Sequence, residues 1–565
     1  MAGPRSRDTL QAILLDHYAR APEQLYVRCV QPGGRDERVT YRRLIERGSQ
    51  LAAATAALGA RPGDVVIVVL PHSADLFCAF FGAILGGQVP AILSVPSFKL
   101  DAAYYRREIE GLLRRIEAAV LVTDAETAAR LEVQGDSIGG SRVLLADRLP
   151  AAAAPIPSPT ARSEDVVLLQ HSSGSTGLKK GVALSNRAIL DQVNAYRDEI
   201  SLSPEDRIAS WLPLYHDMGL IACTIVPALT AVPVSALGPL HWVTSPASLL
   251  KLIHEDRCTL AWMPNFAYDF LATRVRKSQI GDARLDTMRA WINCSEPTFA
   301  QSHRRFFERF APLGVRADTL WTCYAAAETT FAISQSSTAF PARVERLERE
   351  RFLAGGEAVA AADPATPAIE LLSGGRLLPG TTVRIVDEAG KDLPERRVGE
   401  IAIRSGSLFS GYMKDPESTA KALRDGWYLS GDLGFVADGH LFITGRKKDL
   451  IIIAGRNYYP QDIERIVSEV EGIYAGRVVA LGVDDPSLGT QRLVVLAEVA
   501  DPALADSPEL AGAVRAAVSA HLDCAIDELR LLPHMSLLKT SSGKIARAPN
   551  LARFIGTGGA APATS

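Results

Sequence analysis

The stretch DVVLLQHSSGSTGLKKG, residues 165–181, runs an unbroken apolar segment straight into a cluster of serine, threonine, glycine and lysine. The apolar half has the length and Val/Leu content of a buried strand. In the polar half, glycines let a backbone approach an anion closely, hydroxyls and N–H groups donate to phosphate oxygens, and lysine adds charge. A strand opening into such a loop reads as a phosphate-binding arrangement, where a plain surface turn would need no strand before it. It is not a Walker A loop: GxxxxGK[ST] is matched nowhere, and the late SSGKIAR has Leu538 where the first glycine would stand.

Outward from this stretch, similar runs at 64–70 (DVVIVVL) and 118–124 (AAVLVTD) alternate with segments of helical period such as SADLFCAFFGAILGG, 73–87. Continuous apolar strands between helices predict parallel sheets covered on both faces. Further on, LPGTTVRIVDEAGKDLP and VGEIAIRSGSLFSGY read as short strands joined by Gly/Asp turns, a β-rich lobe near 375–445. A last alternation, KKDLIII, QDIERIVSEV and RVVALGV, predicts a compact α/β unit. The expected fold class is α/β. A large N-terminal domain over 1–447 holds two αβ-layered subdomains and the lobe; a small mobile C-terminal domain covers 448–555, and 556–565 form a disordered tail. LPAAAAPIPSPTA, 149–161, reads as a surface linker.

Composition narrows the function classes. The chain has 565 residues, 47% of them hydrophobic, and its 61 basic and 64 acidic residues are interspersed, for a net charge of -3. No basic stripe marks a nucleic-acid partner. Seven cysteines show no CxxC or Cys/His cluster, which suits reduced thiols without zinc. The N-terminus lacks the layout of a secretory signal, so a cytoplasmic location is expected. Residues 219–240 carry no charge, but Pro227, Pro233 and Pro239 interrupt them; a buried helix and a buried strand are expected there, with no membrane span.

The loop resembles the signature loop of the adenylate-forming superfamily, with Lys179 where proline is usual. Four more segments match that superfamily in order: WLPLYHDMGL (211–220), YAAAET (324–329), WYLSGDLG (427–434) with GRKKDLIIIAGRNYYPQDIE (445–464), and KTSSGKIAR (539–547). The resemblance implies ATP-dependent activation of a carboxylic acid. It places Ser172, Ser173, Gly174, Ser175, Thr176, Gly177 and Lys180 on the β- and γ-phosphates, and Thr176 and Glu328 on Mg2+. Tyr324 would stack on adenine, Asp432 with Arg446 would fix the ribose hydroxyls, and Ser295, Glu296 and Ala325 would line the nucleotide. Lys544 is the catalytic candidate, a point charge for the substrate carboxylate and α-phosphate. His216 would stand at the mouth of the acyl pocket, and Lys448 at the hinge.

Within the superfamily, SWLPLYHDMGLI, PNFAYDFL (264–271), NCSEP (293–297) and GRNYYPQDIE resemble the fatty acyl-AMP ligases. Ser373, which opens SGGRLLPGTTVRIVD, stands 45 residues after Glu328 (373 − 328), longer than in the acyl-CoA ligases. The excess at 336–369 resembles the insertion of acyl-AMP ligases, held to hinder the motion needed for CoA attack. The implied reaction is acyl-AMP formation from a fatty acid, then transfer to the phosphopantetheine thiol of a separate acyl carrier protein. An acyl-CoA ligase and a non-catalytic nucleotide- or acyl-binding descendant are the alternatives. Ala325 stands where glycine is usual, and Cys294 and Ser295 where Gly-Ala is common, which bears on the adenine pocket. Residues 95–119 lack the expected proline-rich wording, which bears on acyl specificity.

Overall fold

The computed structural model describes residues 8–34, 36–96, 102–149, 153–171, 180–485, 490–539 and 545–554. The loop residues Ser172, Ser173, Gly174, Ser175, Thr176 and Gly177, the lysine Lys544 and the tail 556–565 lie outside them.

Two parallel-sheet layers form as the apolar runs predict. In the smaller, Val65–Val69 lies between Val89–Ile92 and Val120–Thr123, all parallel; Ser141–Leu145 extends the sheet and the short Ser137–Ile138 closes its edge. Every residue of Val65–Val69 is buried, which is why its sequence is apolar without alternation. Helix Ala74–Leu85 starts at Ser73, whose hydroxyl accepts the Leu76 N–H, and is buried at every residue but Asp75. It packs on helix Tyr41–Ala57 so closely that a Cβ on Gly82 would come 2.5 Å from the Gly48 carbonyl oxygen. Glycine is required there by approach.

The larger sheet has nine strands. Its parallel centre runs Leu320–Ala325, Ala290–Asn293, Leu260–Met263, Ile208–Ser210, Val234–Leu237 and Leu25–Val30 in space. The uncharged 219–240 segment is a buried helical stretch, Met218–Ile225 and Val226–Thr230, followed by the buried strand Val234–Leu237. Among the described residues no helix is long and apolar enough to cross a membrane.

One strand departs from expectation. Val166–His171 joins no parallel sheet; it pairs antiparallel with Gly181–Ser185, which in turn pairs with Gly411–Tyr412. Only nine residues separate the two strands in sequence, and so short a connection suits antiparallel pairing.

The lobe is an antiparallel sheet of Thr382–Val386, Gly399–Arg404, Trp427–Ala437 and His440–Arg446, with Leu423–Arg424 at its edge. Beyond it, Ile473–Asp485, Thr490–Val499 and Glu528–Leu532 form a three-stranded sheet carrying helices Pro460–Ser468 and Pro508–Leu522. The extra segment is a hairpin of Val344–Glu348 and Ala368–Leu372 with helix Arg349–Gly355 between. Its Leu347, Phe352, Leu353, Ala358 and Ile369 share one core with Leu433, Phe435 and Phe442 of the lobe and with Tyr459, Ile463 and Val514 beyond it.

Candidate active site

The parallel strands Ile208–Ser210, Ala290–Asn293 and Leu320–Ala325 release their chains at one edge of the large sheet, where open α/β folds bind ligands. From these ends come His216, then Ser295 and Glu296, then Tyr324, Ala325 and Glu328. The lobe supplies the facing residues: Asp432 and Arg446 are direct partners across Trp427–Ala437 and His440–Arg446.

Tyr324 donates its hydroxyl to Asp432 Oδ2 at 2.7 Å, and Arg446 Nε lies 3.2 Å from Asp432 Oδ1. Ser430 Oγ accepts the Asp432 N–H at 3.1 Å. One carboxylate thus joins a strand end of the large sheet to the lobe. Burial, then the Asp432 charge, pushes the Tyr324 phenol well above its usual range, so it stays a donor. The Asp432 charge also raises the Arg446 guanidinium.

A second pair lies beside it. Tyr412 donates to Glu328 Oε1 at 2.8 Å, and Lys180 Nζ sits over the Tyr412 ring, 4.6 Å from its centroid. The pairing of Gly181–Ser185 with Gly411–Tyr412 creates this contact, so the residue that ends the phosphate loop meets Glu328 through one tyrosine. Burial raises the Glu328 carboxyl, against the lowering by the Tyr412 hydrogen bond. Glu328 has no ion-pair partner among the described residues. A buried carboxylate that accepts a tyrosine hydroxyl offers the oxygen donor a hard divalent cation takes.

Backbone strain marks the same edge. Ser295 (φ 73°) and Thr330 (φ 64°) lie in the left-handed region although neither is glycine. The ladder also shifts register between Tyr324 and Ala325, a bulge that re-aims the strand end holding the tyrosine. Glu296 Oε1 accepts the Phe266 N–H, at the start of helix Asn265–Arg274, at 2.5 Å. His216 sits edge-on to Tyr215, ring centroids 4.9 Å apart, and its carbonyl accepts the Leu220 N–H at 2.8 Å. Asp217 Oδ1 accepts the Met218 N–H at 2.8 Å and so caps the following helix.

Lys448 lies in the 3-10 turn Lys447–Asp449, between the last lobe strand and the C-terminal unit. Lys447 Nζ pairs with Glu400 at 3.1 Å on the lobe side, and Arg547 lies 3.9 Å from Asp449 on the other. Tyr412 was not singled out by sequence reading; its signal was the SGY that ends VGEIAIRSGSLFSGY.

A model of the AMP-binding enzymes matches residues 15–413. A Caulobacter vibrioides protein carrying an acyl-CoA synthetase name is 33% identical, over 90% of this chain and 89% of its own. A medium-chain-fatty-acid–[acyl-carrier-protein] ligase of Moorena producens is 29% identical, over 92% and 90%. A solved structure from a study of fatty acyl-adenylate ligases of E. coli and L. pneumophila superposes with a TM-score of 0.88 at 30% identity, covering 96% of each chain. With these matches running through the phosphate-loop strand, the Tyr324–Glu328 turn and the lobe, the chain belongs to the AMP-binding enzyme family and is an AMP-forming ligase that groups with the fatty acyl-AMP ligases.

Proposed function

We propose that the protein adenylates a fatty acid and hands the acyl group to the phosphopantetheine thiol of an acyl carrier protein, in the cytoplasm, and does not make acyl-CoA at a useful rate. A carboxylate oxygen attacks the α-phosphorus of ATP, the bond to the bridging oxygen breaks, and pyrophosphate leaves. Asp432 and Arg446 hold the ribose and Tyr324 the adenine, with Ser295, Glu296 and Ala325 alongside. Residues 172–177 and Lys180 hold the outer phosphates, and Lys544 neutralises the two approaching anions. Thr176 and Glu328 would hold Mg2+, which supplies charge compensation on the phosphates. His216 gates the acyl pocket. The domain boundary falls at Lys448, where the smaller C-terminal unit, 448–555, swings between steps.

The observation that carries the choice of acceptor is the grip of the inserted hairpin on the C-terminal unit. Phe352 packs on Tyr459 with ring centroids 5.7 Å apart. Glu350 pairs with Arg456, which also reaches Asp523 at 3.1 Å. Arg349 donates to the carbonyls of Ala520 (3.3 Å) and His521 (2.5 Å), at the C-terminal end of helix Pro508–Leu522 where a cation is favoured. Such contacts raise the free energy of any state in which the unit has swung away. The name of the Moorena producens relative, which joins a fatty acid to a carrier protein, supports the same acceptor.

The acyl-CoA synthetase name of the Caulobacter relative is the reason to keep CoA as the second reading. Incubation with ATP, Mg2+, a fatty acid and CoA, followed by mass analysis, should show acyl-AMP accumulating; Arg349→Ala with Arg456→Ala should raise acyl-CoA while pyrophosphate exchange barely moves. Acyl-CoA formed by the intact protein at its adenylation rate would replace this reading with the second.

A further inference from the structure

The turn 294–298 leaves strand Ala290–Asn293, carries Ser295 and Glu296, and runs to Phe299, the cap of helix Ala300–Phe310. Ser295 holds φ 73° without being glycine, and such a conformation persists only where the surroundings over-determine it. Three hydrogen bonds fasten this turn to the two residues that open helix Asn265–Arg274. Asn265 Oδ1 accepts Asn293 Nδ2 at 2.9 Å, just before the turn, and the Phe299 N–H at 3.0 Å, just after it. The middle is held by the Phe266 N–H, which donates to Glu296 Oε1 at 2.5 Å. One side-chain oxygen therefore ties the two ends of the turn together, and the next residue's amide holds its centre.

The clamp is itself fixed from behind. Asn265 Nδ2 donates to Ser302 Oγ at 3.0 Å, and the Ser302 hydroxyl donates to Asp269 Oδ2 at 2.6 Å, one turn along the helix that Asn265 opens. Asn293 Nδ2 also meets His303 Nε2 at 3.0 Å; burial lowers that imidazole to about 4, so at neutral pH it is uncharged and accepts. Asn265, Asn293, Ser302 and His303 are all buried. Donors without access to water lose more when a partner is removed than donors at the surface do, so the arrangement resists drift.

We propose that Asn265 is a positioning residue for the nucleotide: it sets the backbone of Ser295 and Glu296 from both ends of their turn. The inference rests on the proposed function, in which those two residues lie along the ATP. A turn that contacts ATP equally before and during the reaction contributes uniform binding, so loosening it raises KM and leaves kcat in place.

ATP–pyrophosphate exchange by the full-length protein, with whichever straight-chain fatty acid drives it fastest, reads that split. Asn265→Ala removes the oxygen that ties the turn and should raise KM for ATP about tenfold, with kcat within about twofold of the parent. Asn265→Asp keeps an oxygen for Asn293 and Phe299 and puts its charge at a helix N-terminus, where an anion is favoured; its KM should return to within about threefold of the parent. Asn293→Ala frees one end of the turn only and should raise KM by a smaller factor. An unchanged KM in folded Asn265→Ala, a fall in kcat without a rise in KM, or no rescue by Asn265→Asp would overturn the inference. Unfolding of Asn265→Ala leaves the decision to Asn293→Ala, and unfolding of both overturns it, because the side chains would then hold the fold and not the turn. Asp432→Ala separates this from the underlying reading. An unchanged KM there removes the nucleotide from this edge altogether, whereas a raised KM there beside an unchanged one in Asn265→Ala condemns only the positioning.

Discussion

Tyr324, Asp432 and Arg446 hold one another directly, from strand ends that two packed sheets fix in place. In the C-terminal unit the buried side chains hold backbone instead: Asn550 pairs with Leu538, and Glu498 accepts the Leu537 N–H. The first arrangement suits a group that must keep one geometry from nucleotide entry to product release. On the proposed function, the nucleotide-binding residues belong to the large N-terminal domain, and Lys544 to the C-terminal unit that swings between steps.

The comparison breaks most sharply at Lys544. Lys544→Ala should lower pyrophosphate exchange by about a hundred- to a thousandfold while nucleotide affinity changes by less than about threefold, since the charge acts where it develops in the transition state. Asp432→Ala should do the reverse. Loss of a charged acceptor for two ribose hydroxyls is worth about 2 kcal/mol, so ATP affinity measured by calorimetry should fall about thirtyfold. Unchanged affinity would reduce Asp432 to a structural link between Tyr324 and Arg446.

A third substitution probes the C-terminal unit alone. Burial pushes the Asp462 carboxyl up to about 6. As pH rises the unfolded chain ionises first, so between about pH 4 and pH 6 the native state binds more protons and stability falls. Above that window the penalty is complete, and below it absent. Asp462→Asn should thus be more stable than the parent at pH 7.5, by about 1–3 kcal/mol in denaturant titration, and equal to it near pH 4. The smallest effect is expected at Tyr412→Phe, which removes the hydroxyl that donates to Glu328 at 2.8 Å. About 1 kcal/mol is at stake, or roughly a fivefold rise in KM for Mg-ATP, with kcat unchanged.

Much of this was legible before any coordinates. The all-buried strands follow from their unbroken Val/Ile/Leu runs, and Asp432 and Arg446, which the family resemblance names as a pair, are partners across a hairpin. What stayed hidden depended on contacts between distant segments. The apolar run 165–170 looks like any parallel strand, because a buried strand is equally apolar in either direction, yet it pairs antiparallel with Gly181–Ser185. The 336–369 excess is recognisable by its resemblance to the acyl-AMP ligase insertion, but not how it packs: Leu347, Phe352 and Leu353 enter the shared core and Arg349 reaches a helix end. Asn550 gives no local signal: its partners, Leu538 and Ala546, are ordinary apolar residues engaged through their backbones.

ATP–pyrophosphate exchange driven by a panel of straight-chain fatty acids tests the central claim most directly. The account predicts acid-dependent exchange with at least one member of the panel, abolished by Lys544→Ala and unaffected by adding CoA. Nucleotide binding without exchange for any acid would contradict it and leave a protein that keeps the fold and the Tyr324–Asp432–Arg446 cluster but not the reaction.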